Sequence, residues 1–144
     1  PMQWDGTAGR GFSTVKPWLP YGPAGINVAS QQADPASMLA LHQRAIWLRK
    51  QLPPLLRGAY RELESPEDVF AFERSAPGEG AVVVAVNTAS EPRTIAVAEG
   101  AEVILSTHEA LQGANPSNSL DLPALAAVWV RTSSPRPLVS SSHA

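Results

Sequence analysis

The sequence contains no cysteine among its 144 residues, and it has no apolar run near the roughly 20 residues that span a bilayer. The first absence excludes disulfides, thiolate metal sites, iron–sulfur clusters and cysteine nucleophiles. The second, together with the lack of a basic segment followed by an apolar one at the N-terminus, predicts a soluble protein. We therefore expect a cytoplasmic location and no membrane partner.

The sequence also lacks an excess of charge of either sign. Eleven basic residues stand against thirteen acidic ones, the net charge is -2, and no run of like charges occurs. Because nothing resembles the basic footprint that binds a phosphate backbone, we expect no nucleic-acid partner. The length and composition instead fit one globular domain that is long enough to bury a core.

Residues that carry catalysis or bind cofactors are sparse too. The three histidines lack the spacing of zinc ligands, and neither a nucleophile elbow nor a glycine-rich phosphate loop occurs, so we expect no metal and no cofactor. Four carboxylates, those of Glu62, Glu64, Glu67 and Asp68, surround a hairpin turn. They fit a solvated strand edge better than a general acid and base pair. The residues by themselves predict no catalytic site.

Proline is abundant in the part of the chain where regular structure is least expected. Seven of the fourteen prolines lie within the first 54 residues, and prolines and glycines interrupt every helix or strand period between Pro1 and Ala33. Four of the nine aromatic residues nevertheless lie in this segment. Because disordered segments are poor in aromatic residues, we expect an ordered connection that packs on another surface; disorder is the alternative.

A helix is predicted from Asp34 to Leu52, with an N-cap carboxylate before Pro35 and a stop at Pro53. Its apolar residues form two stripes, and Arg49 projects between them. An unpaired charge inside an apolar arc is costly, so we expect the helix to lie between two bodies with Arg49 bonded in the structural seam. The alternative is that Arg49 snorkels from a one-sided helix.

Beyond Pro54 the sequence alternates between short apolar strands and turns. Six such strands predict a mainly β fold, an antiparallel β-sandwich or meander. Residues 132–144, which are rich in serine and proline, are expected to form a disordered tail. The predicted strands are Ala59–Leu63, Val69–Arg74, Ala81–Asn87, Arg93–Ala98, Ala101–Ser106 and Ala126–Arg131.

Short sequence blocks spread along the chain carry a family signal. These blocks are Pro1–Asp5, Gly11–Phe12, Lys16–Pro20, Ile26–Val28, Leu48–Lys50 and Gly58–Tyr60. In this order and with these gaps, the chain resembles the C-terminal end of glycoside hydrolase family 13 enzymes. Within that family it is most similar to the α-glucosidase, oligo-1,6-glucosidase and trehalose synthase branch. The resemblance extends from Pro1 to about Arg131.

The resemblance implies a domain organisation. In that family a (β/α)8 barrel carries catalysis, and an antiparallel β-sandwich called domain C follows it. Residues 1–54 would then be the end of the catalytic barrel, with a connection over 1–33 and the last barrel helix over 34–52. Residues 55–131 would be domain C, and the missing barrel would be the packing partner. Because the family pattern has an arginine–threonine pair before Pro1, we expect the chain to be part of a longer reading frame.

The resemblance also implies the chemistry. The family uses a retaining mechanism with an aspartate nucleophile, a glutamate acid/base and a second aspartate that binds the sugar. The motifs that carry these residues match nothing in this chain, so we expect no catalytic residue here. Gln3, Trp4 and Asp5 come nearest to the family's pocket rim and are candidates to support the substrate loops. A hydrogen-bonded turn that fixes the connection is the alternative role for these three residues.

Three functional hypotheses follow. The first is the C-terminal part of an enzyme that hydrolyses short α-glucosides, inactive when isolated. The second is a trehalose synthase or another transglycosylating or isomerising member of the same family. The third is a non-catalytic β-sandwich that binds carbohydrate or protein. Such a module would present exposed aromatic residues, whereas we expect those of the sandwich in its core: Tyr60, Phe70, Phe72 and Trp129.

Overall fold

A computed structural model describes residues 1–133, which form parts of two compact units, Pro1–Trp47 and the chain from Leu48 onward. The expected tail starts at Thr132, which is the last residue of a strand, and residues 134–144 of that prediction lie outside the described residues. In chain order the helices are α1 (Val28–Gln32), α2 (Met38–Gln51) and α3 (Pro53–Arg57). The strands are β1 (Ala59–Glu62), β2 (Val69–Ser75), β3 (Ala81–Asn87), β4 (Arg93–Ala96), β5 (Glu102–Ser106), β6 (Ser119–Leu122) and β7 (Ala127–Thr132).

The strands agree with the sequence prediction and extend it. Each of the six predicted strands is present, with ends that differ by at most two residues, and Ala81–Asn87 agrees at both ends. The structure adds β6, which was expected to be part of a loop. This strand is four residues long, and its side chains alternate, with Leu120 and Leu122 buried and the two others exposed. So short a run gives little periodic signal in the sequence, although its burial is that of a half-covered strand.

The strands form two antiparallel sheets. One has five strands in the order β1-β2-β3-β7-β5, and the other consists of β4 and β6. All strand pairings within the two sheets are antiparallel, so the mainly β, antiparallel fold class is confirmed. Strand alternation places aliphatic residues from both sheets in one core: Val69, Ala71, Val83, Ala85, Ile95, Val97, Ala101, Val103, Leu120, Leu122, Val128 and Val130.

A second, smaller apolar cluster lies on the other face of the five-stranded sheet. There Leu55 of α3 packs with Val82 and Val84 of β3, and Phe72 and Trp129 border the cluster. Strand β3 is therefore covered on both faces, which its continuous apolar sequence predicts for a central strand.

Helix α2 begins at Met38 and not at Asp34 as predicted. The side-chain oxygen of Ser37 accepts a hydrogen bond from the N–H of Ala40 at 3.1 Å, which is the geometry of an N-cap. The carboxylate of Asp34 accepts from the N–H of Ala36 at 2.9 Å and so closes the turn that precedes the helix. An aspartate before a proline is a good cap, but the serine three residues later takes that role.

Two short helices were not predicted. Helix α1 begins after Asn27, whose side chain accepts from the N–H of Ser30 at 2.9 Å in a capping box. Pro53 and Pro54 end α2 as predicted, but they also occupy the first positions of α3, where the missing N–H groups cost nothing. Within residues 1–133, no helix has the length and apolar composition needed to cross a membrane. The cytoplasmic location stays a prediction from the sequence.

The expectation that the sandwich aromatics lie in its core is wrong for Tyr60 and Phe70. Their exposed fractions are 56% and 51%, while Phe72 and Trp129 are half-buried. The reason is the pleat of the strands, which directs these four side chains to the outer face of the five-stranded sheet. The core between the two sheets is filled by aliphatic residues instead.

One buried amide ties three segments of the sandwich together. Asn87, the last residue of β3, is 1% exposed, and its Nδ2 donates to the carbonyls of Glu91 at 2.9 Å, Leu122 at 3.2 Å and Pro123 at 2.9 Å. Its Oδ1 accepts from the N–H of Ala89 at 2.9 Å. The side chain therefore fixes the end of β3 to the turn before β4 and to the end of β6.

We predict that Asn87→Asp lowers the free energy of unfolding by at least about 3 kcal/mol at pH 7. The change keeps the shape of the side chain but places a carboxylate oxygen against three carbonyl oxygens. Urea unfolding followed by circular dichroism measures the effect, with Asn118→Asp at an exposed position as the matched control. Equal stability of the two variants would contradict the role assigned to Asn87.

Candidate functional site

The segment Gln3–Asp5 is bound through its backbone to the start of α1. The N–H groups of Val28 and Ala29 donate to the carbonyl oxygens of Gln3 at 3.0 Å and Trp4 at 2.9 Å. The first turn of a helix has no internal partners for such groups, so the segment supplies them. The block of residues that carries the family signal thus caps a helix that the sequence did not predict.

The side chain of Gln3 strengthens this attachment. Its Nε2 donates to the carbonyls of Pro23 at 3.0 Å and Ile26 at 2.6 Å. Because both partners are acceptors, the nitrogen and not the oxygen of the amide faces them. Its Oε1 is buried and has no hydrogen-bond partner among the described residues. Gln3 therefore joins the beginning of the connection to the residues just before α1.

The side chain of Asp5 forms a local turn. Its Oδ1 accepts from the hydroxyl of Thr7 at 2.6 Å and from the N–H of the same residue at 2.8 Å. These two hydrogen bonds, the hydroxyl bond first, lower the pKa of the Asp5 carboxyl, and the positive charge of Arg10 adds to the effect. Gly11, at φ +62°, lies so close that an added Cβ would be 2.8 Å from the Asp5 Oδ2. Glycine is thus required beside this carboxylate.

Arg10 organises the same loop from the inside, although no sequence pattern pointed to this residue. Its backbone adopts φ +56°, and its Nη1 donates to the carbonyls of Gly6 at 3.1 Å and Thr7 at 2.7 Å. The guanidinium lies 5.6 Å from the ring centroid of Tyr21, a cation–π arrangement, and the hydroxyl of Tyr21 donates to the carbonyl of Gly9 at 3.0 Å. The loop after Asp5 is therefore held to the later part of the connection.

For Gln3, Trp4 and Asp5, the structure shows how each residue is attached within the N-terminal unit. Gln3 and Asp5 each make the hydrogen bonds of a fixed turn, which supports the second role weighed for them. The indole of Trp4 is exposed, while its backbone is bonded at both its N–H and its carbonyl. Their contribution to a substrate pocket stays a prediction.

The surroundings of Gln3–Asp5 do not resemble the carboxylate pair of a retaining glycosidase. Residues 1–47 contain two carboxylates, Asp5 and Asp34, and each accepts a hydrogen bond from a neighbouring backbone N–H. A retaining glycosidase needs two carboxyl groups about 5 to 5.5 Å apart, one of them with a raised pKa. The lowered pKa of Asp5 makes it unsuited to donate a proton near neutral pH.

The other charged candidates lie on the surface. Arg49 is exposed on α2, so its place in a seam stays a prediction. In the carboxylate group at the first hairpin, Asp68 pairs with Arg93 at 2.7 Å, and Glu62, Glu64 and Glu67 are exposed. This arrangement is that of a solvated strand edge.

The N-terminal unit has almost no interior. Asn27 and Ser37 are the buried residues among residues 1–47, and both are polar helix caps. Trp18 is 91% exposed, and other large apolar side chains of the unit are exposed as well: Met2, Trp4, Phe12, Val15, Leu19, Ile26, Met38, Ile46 and Trp47. So much exposed apolar surface is typical of a face that another part of a protein covers.

Comparison with known proteins shows which family this chain resembles. The profile of the α-amylase catalytic domain matches residues 1–58. A glucan 1,6-α-glucosidase of Streptococcus pneumoniae is 34% identical over 99 residues, which are 67% of this chain and 18% of the relative. An oligo-1,6-glucosidase of Halalkalibacterium halodurans is 39% identical over 87 residues, 58% of this chain and 16% of the relative. The chain thus spans less than a fifth of these two relatives.

The fold has solved counterparts. The crystal structure of the trehalulose synthase MutB from Pseudomonas mesoacidophila matches 91% of this chain and 24% of its own length, with a TM-score of 0.79 and 32% identity. The chain belongs to glycoside hydrolase family 13, the α-amylase family. Within that family it corresponds to the C-terminal part, barrel end and domain C, of the branch that includes α-glucosidases, oligo-1,6-glucosidases and trehalulose synthases.

We predict that Thr7→Val raises the pKa of Asp5 towards its ordinary value, because the side-chain hydrogen bond is lost while the backbone bond remains. A carboxyl with a lowered pKa stabilises the folded loop above its unfolded-state pKa and loses that effect as the pH falls through the folded-state pKa. The variant should therefore lose the order of the loop at a higher pH than the native chain.

A titration of the Asp5 carboxyl and of the residue 7 amide by nuclear magnetic resonance measures both effects. Thr7→Ser keeps the hydroxyl and serves as the matched control. The assignment of the hydroxyl as the main cause would be wrong if the valine and serine variants titrated alike.

Proposed function

We propose that this chain is the C-terminal part of an enzyme that hydrolyses short α-glucosides with retention of configuration. The printed activities of the curated relatives support this assignment. The observation that carries it is the similarity to a glucan 1,6-α-glucosidase, which is 34% identical over 99 residues, 67% of this chain. The catalytic carboxylates then lie in the part of the barrel outside this chain.

Within that enzyme, residues 1–33 hold the neighbouring substrate loops in position. Gln3 and Asp5 hold the start of the connection in a single conformation through four side-chain hydrogen bonds. A connection fixed in this way keeps neighbouring substrate loops in place, which matters because small misplacements of reacting groups slow catalysis. The lowered pKa of Asp5 supports a positioning role and argues against acid catalysis.

The missing barrel is the packing partner in this proposal. The N-terminal unit buries no apolar side chain of its own, although it carries four of the nine aromatics before residue 34. Each Å² of apolar surface that the barrel covers contributes about 25 cal/mol. The sandwich differs, because its twelve-residue inner core is complete within the chain.

A second candidate is an isomerising enzyme of the same branch. Solved relatives that cover more than nine tenths of the chain include trehalulose synthase structures, one of them in complex with sucrose. Both candidates share the barrel end and domain C. Analysis of the products from maltose, isomaltose and sucrose distinguishes them, since a hydrolase releases glucose and an isomerase forms a rearranged disaccharide.

We predict that residues 1–144 alone release no glucose from maltose, isomaltose or an aryl α-glucoside, because the family motifs that carry the catalytic carboxylates match nothing in this sequence. The same chain expressed with the coding segment upstream of Pro1 is expected to be active. Glucose release is measured with an enzymatic assay, and the upstream segment expressed without residues 1–144 is the control. Activity that purifies with residues 1–144 alone would overturn the proposal.

A further inference from the structure

The five-stranded sheet has two edge strands, β1 and β5. The edge of a sheet carries backbone N–H and C=O groups that can pair with the edge of another molecule. Strand β1 is four residues long and includes the charged residues Arg61 and Glu62, and both features limit such pairing. Strand β5 has the sequence Glu-Val-Ile-Leu-Ser, whose three consecutive aliphatic residues favour pairing. Protection of the β5 edge therefore has to come from another segment.

A short segment that follows β5 covers this edge. We call residues 109–114, which begin with a 3-10 helix over Glu109–Leu111, the edge strap. The N–H of Val103 donates to the carbonyl of Ala114 at 2.8 Å, and the carbonyl of Val103 accepts from the N–H of Gly113 at 2.9 Å. Strand β7 occupies the other side of β5, so these bonds lie on the side where a further strand would pair.

The side chain of Gln112 continues this cover along β5. Its Nε2 donates to the carbonyl of Ile104 at 3.0 Å, and its Oε1 accepts from the N–H of Ser106 at 3.1 Å. In a parallel pair of strands, one residue bonds in the same way to a carbonyl and to an N–H two residues further along its neighbour. The carboxamide of Gln112 therefore occupies two hydrogen-bonding positions that a pairing strand would need.

The edge strap is anchored by apolar contacts and by the backbone of a glycine. Leu111 and Ala114 are partly buried and pack against the core between the two sheets. Gly113 has φ +77°, a conformation that favours glycine. Gln112 itself is exposed, so water replaces its hydrogen bonds at little cost in stability when the side chain is removed. The main effect of Gln112 is therefore to exclude other groups from the edge.

A second copy of this chain fits the edge that the strap covers. Two β5 strands that pair antiparallel about Ile104 place Glu102 of each copy opposite Ser106 of the other. Val103 then lies opposite Leu105, so apolar residues face each other and like charges do not. Pairs of this kind stabilise neighbouring strands, whereas like charges placed directly opposite would destabilise them.

We propose that the edge strap is an autoinhibitory contact that keeps the sandwich from pairing through β5 with a second copy of this chain. The proposal goes beyond the hydrolysis of α-glucosides, because it concerns self-association of the sandwich and involves no substrate. Gln112 closes the edge by making with one side chain two of the hydrogen bonds that the second copy would make.

The test compares variants of the full 144-residue chain by analytical ultracentrifugation over a range of concentrations. Gln112→Ala is expected to raise the association constant about tenfold or more, because it frees backbone groups for pairing. Gln112→Asn keeps the carboxamide but is one methylene shorter, and it should associate as well. Gln112→Lys places a charge at the edge and should behave as the native chain does. Asn118→Ala, at an exposed position of the sandwich, is the matched control.

Hydrogen exchange of the Ser106 amide, followed by nuclear magnetic resonance, reports the contact directly. In dilute solution this amide should exchange about tenfold faster in Gln112→Ala than in the native chain, and it should regain protection as the concentration rises. All variants contain the same residues 1–47, so association through the N-terminal unit contributes equally to each of them.

Circular dichroism and urea unfolding establish that each variant keeps its fold, and the asparagine variant remains informative if the alanine variant is unstable. Equal association constants for the native chain and for the alanine and asparagine variants would overturn the proposal. It would also be wrong if the lysine variant associated as strongly as the alanine variant, because the interface would then lie elsewhere. None of these measurements involves catalysis by the longer enzyme, so this proposal and the proposed function fail separately.

Discussion

The burial of strand β3 is the constraint on which the sandwich depends. The strand pairs with β2 on one side and β7 on the other, and its side chains are covered on both faces. On the inner face they meet the other sheet, and on the outer face they meet Leu55. Because alternate residues of one strand serve both clusters, a shift of register by one residue would exchange the two sets. Asn87 fixes the end of the strand, and with it the register, by hydrogen bonds to three carbonyls.

The N-terminal unit is held by another kind of interaction. Its conformation rests on hydrogen bonds that satisfy helix ends and turns, from Gln3, Asp5 and Asn27, and not on an apolar core. Hydrogen bonds of this type contribute about 1 kcal/mol each and order a chain locally. They do not offset the entropy of ordering some thirty residues. A unit built in this way depends on apolar contact with a further surface, which is the role that we propose for the rest of the barrel.

Periodicity in the sequence predicted the elements whose own residues determine them. The alternation in Val69–Arg74 and the apolar run of Ala81–Asn87 are local signals, and both strands are present. Helix α1 was detectable too, because Asn27 and Ser30 have the spacing of a capping box. The exposure of Phe70 was not detectable. Both faces of β2 are apolar, and only the placement of the second sheet decides which face becomes the core.

In the candidate site, too, local sequence patterns did not predict contacts between residues that are distant in the sequence. The blocks that carry the family signal located Gln3 and Asp5, but they did not reveal Arg10 or Tyr21. The role of Arg10 depends on a positive φ angle and on a ring eleven residues away in the sequence, neither of which a local pattern encodes. Such contacts form only after the chain has folded back on itself.

The N-terminal unit and the sandwich are stabilised by different kinds of interaction. The carboxylate nearest the expected pocket has its pKa lowered by Thr7, which keeps it ionised and bonded within its own loop. A group committed in this way can hold backbone in place but cannot exchange protons with a substrate near neutral pH. The sandwich, by contrast, has an apolar core on one face of its main sheet and a smaller apolar cluster around Leu55 on the other. The N-terminal unit is therefore ordered by polar contacts within its own loops, whereas the sandwich is ordered by apolar contacts between its strands.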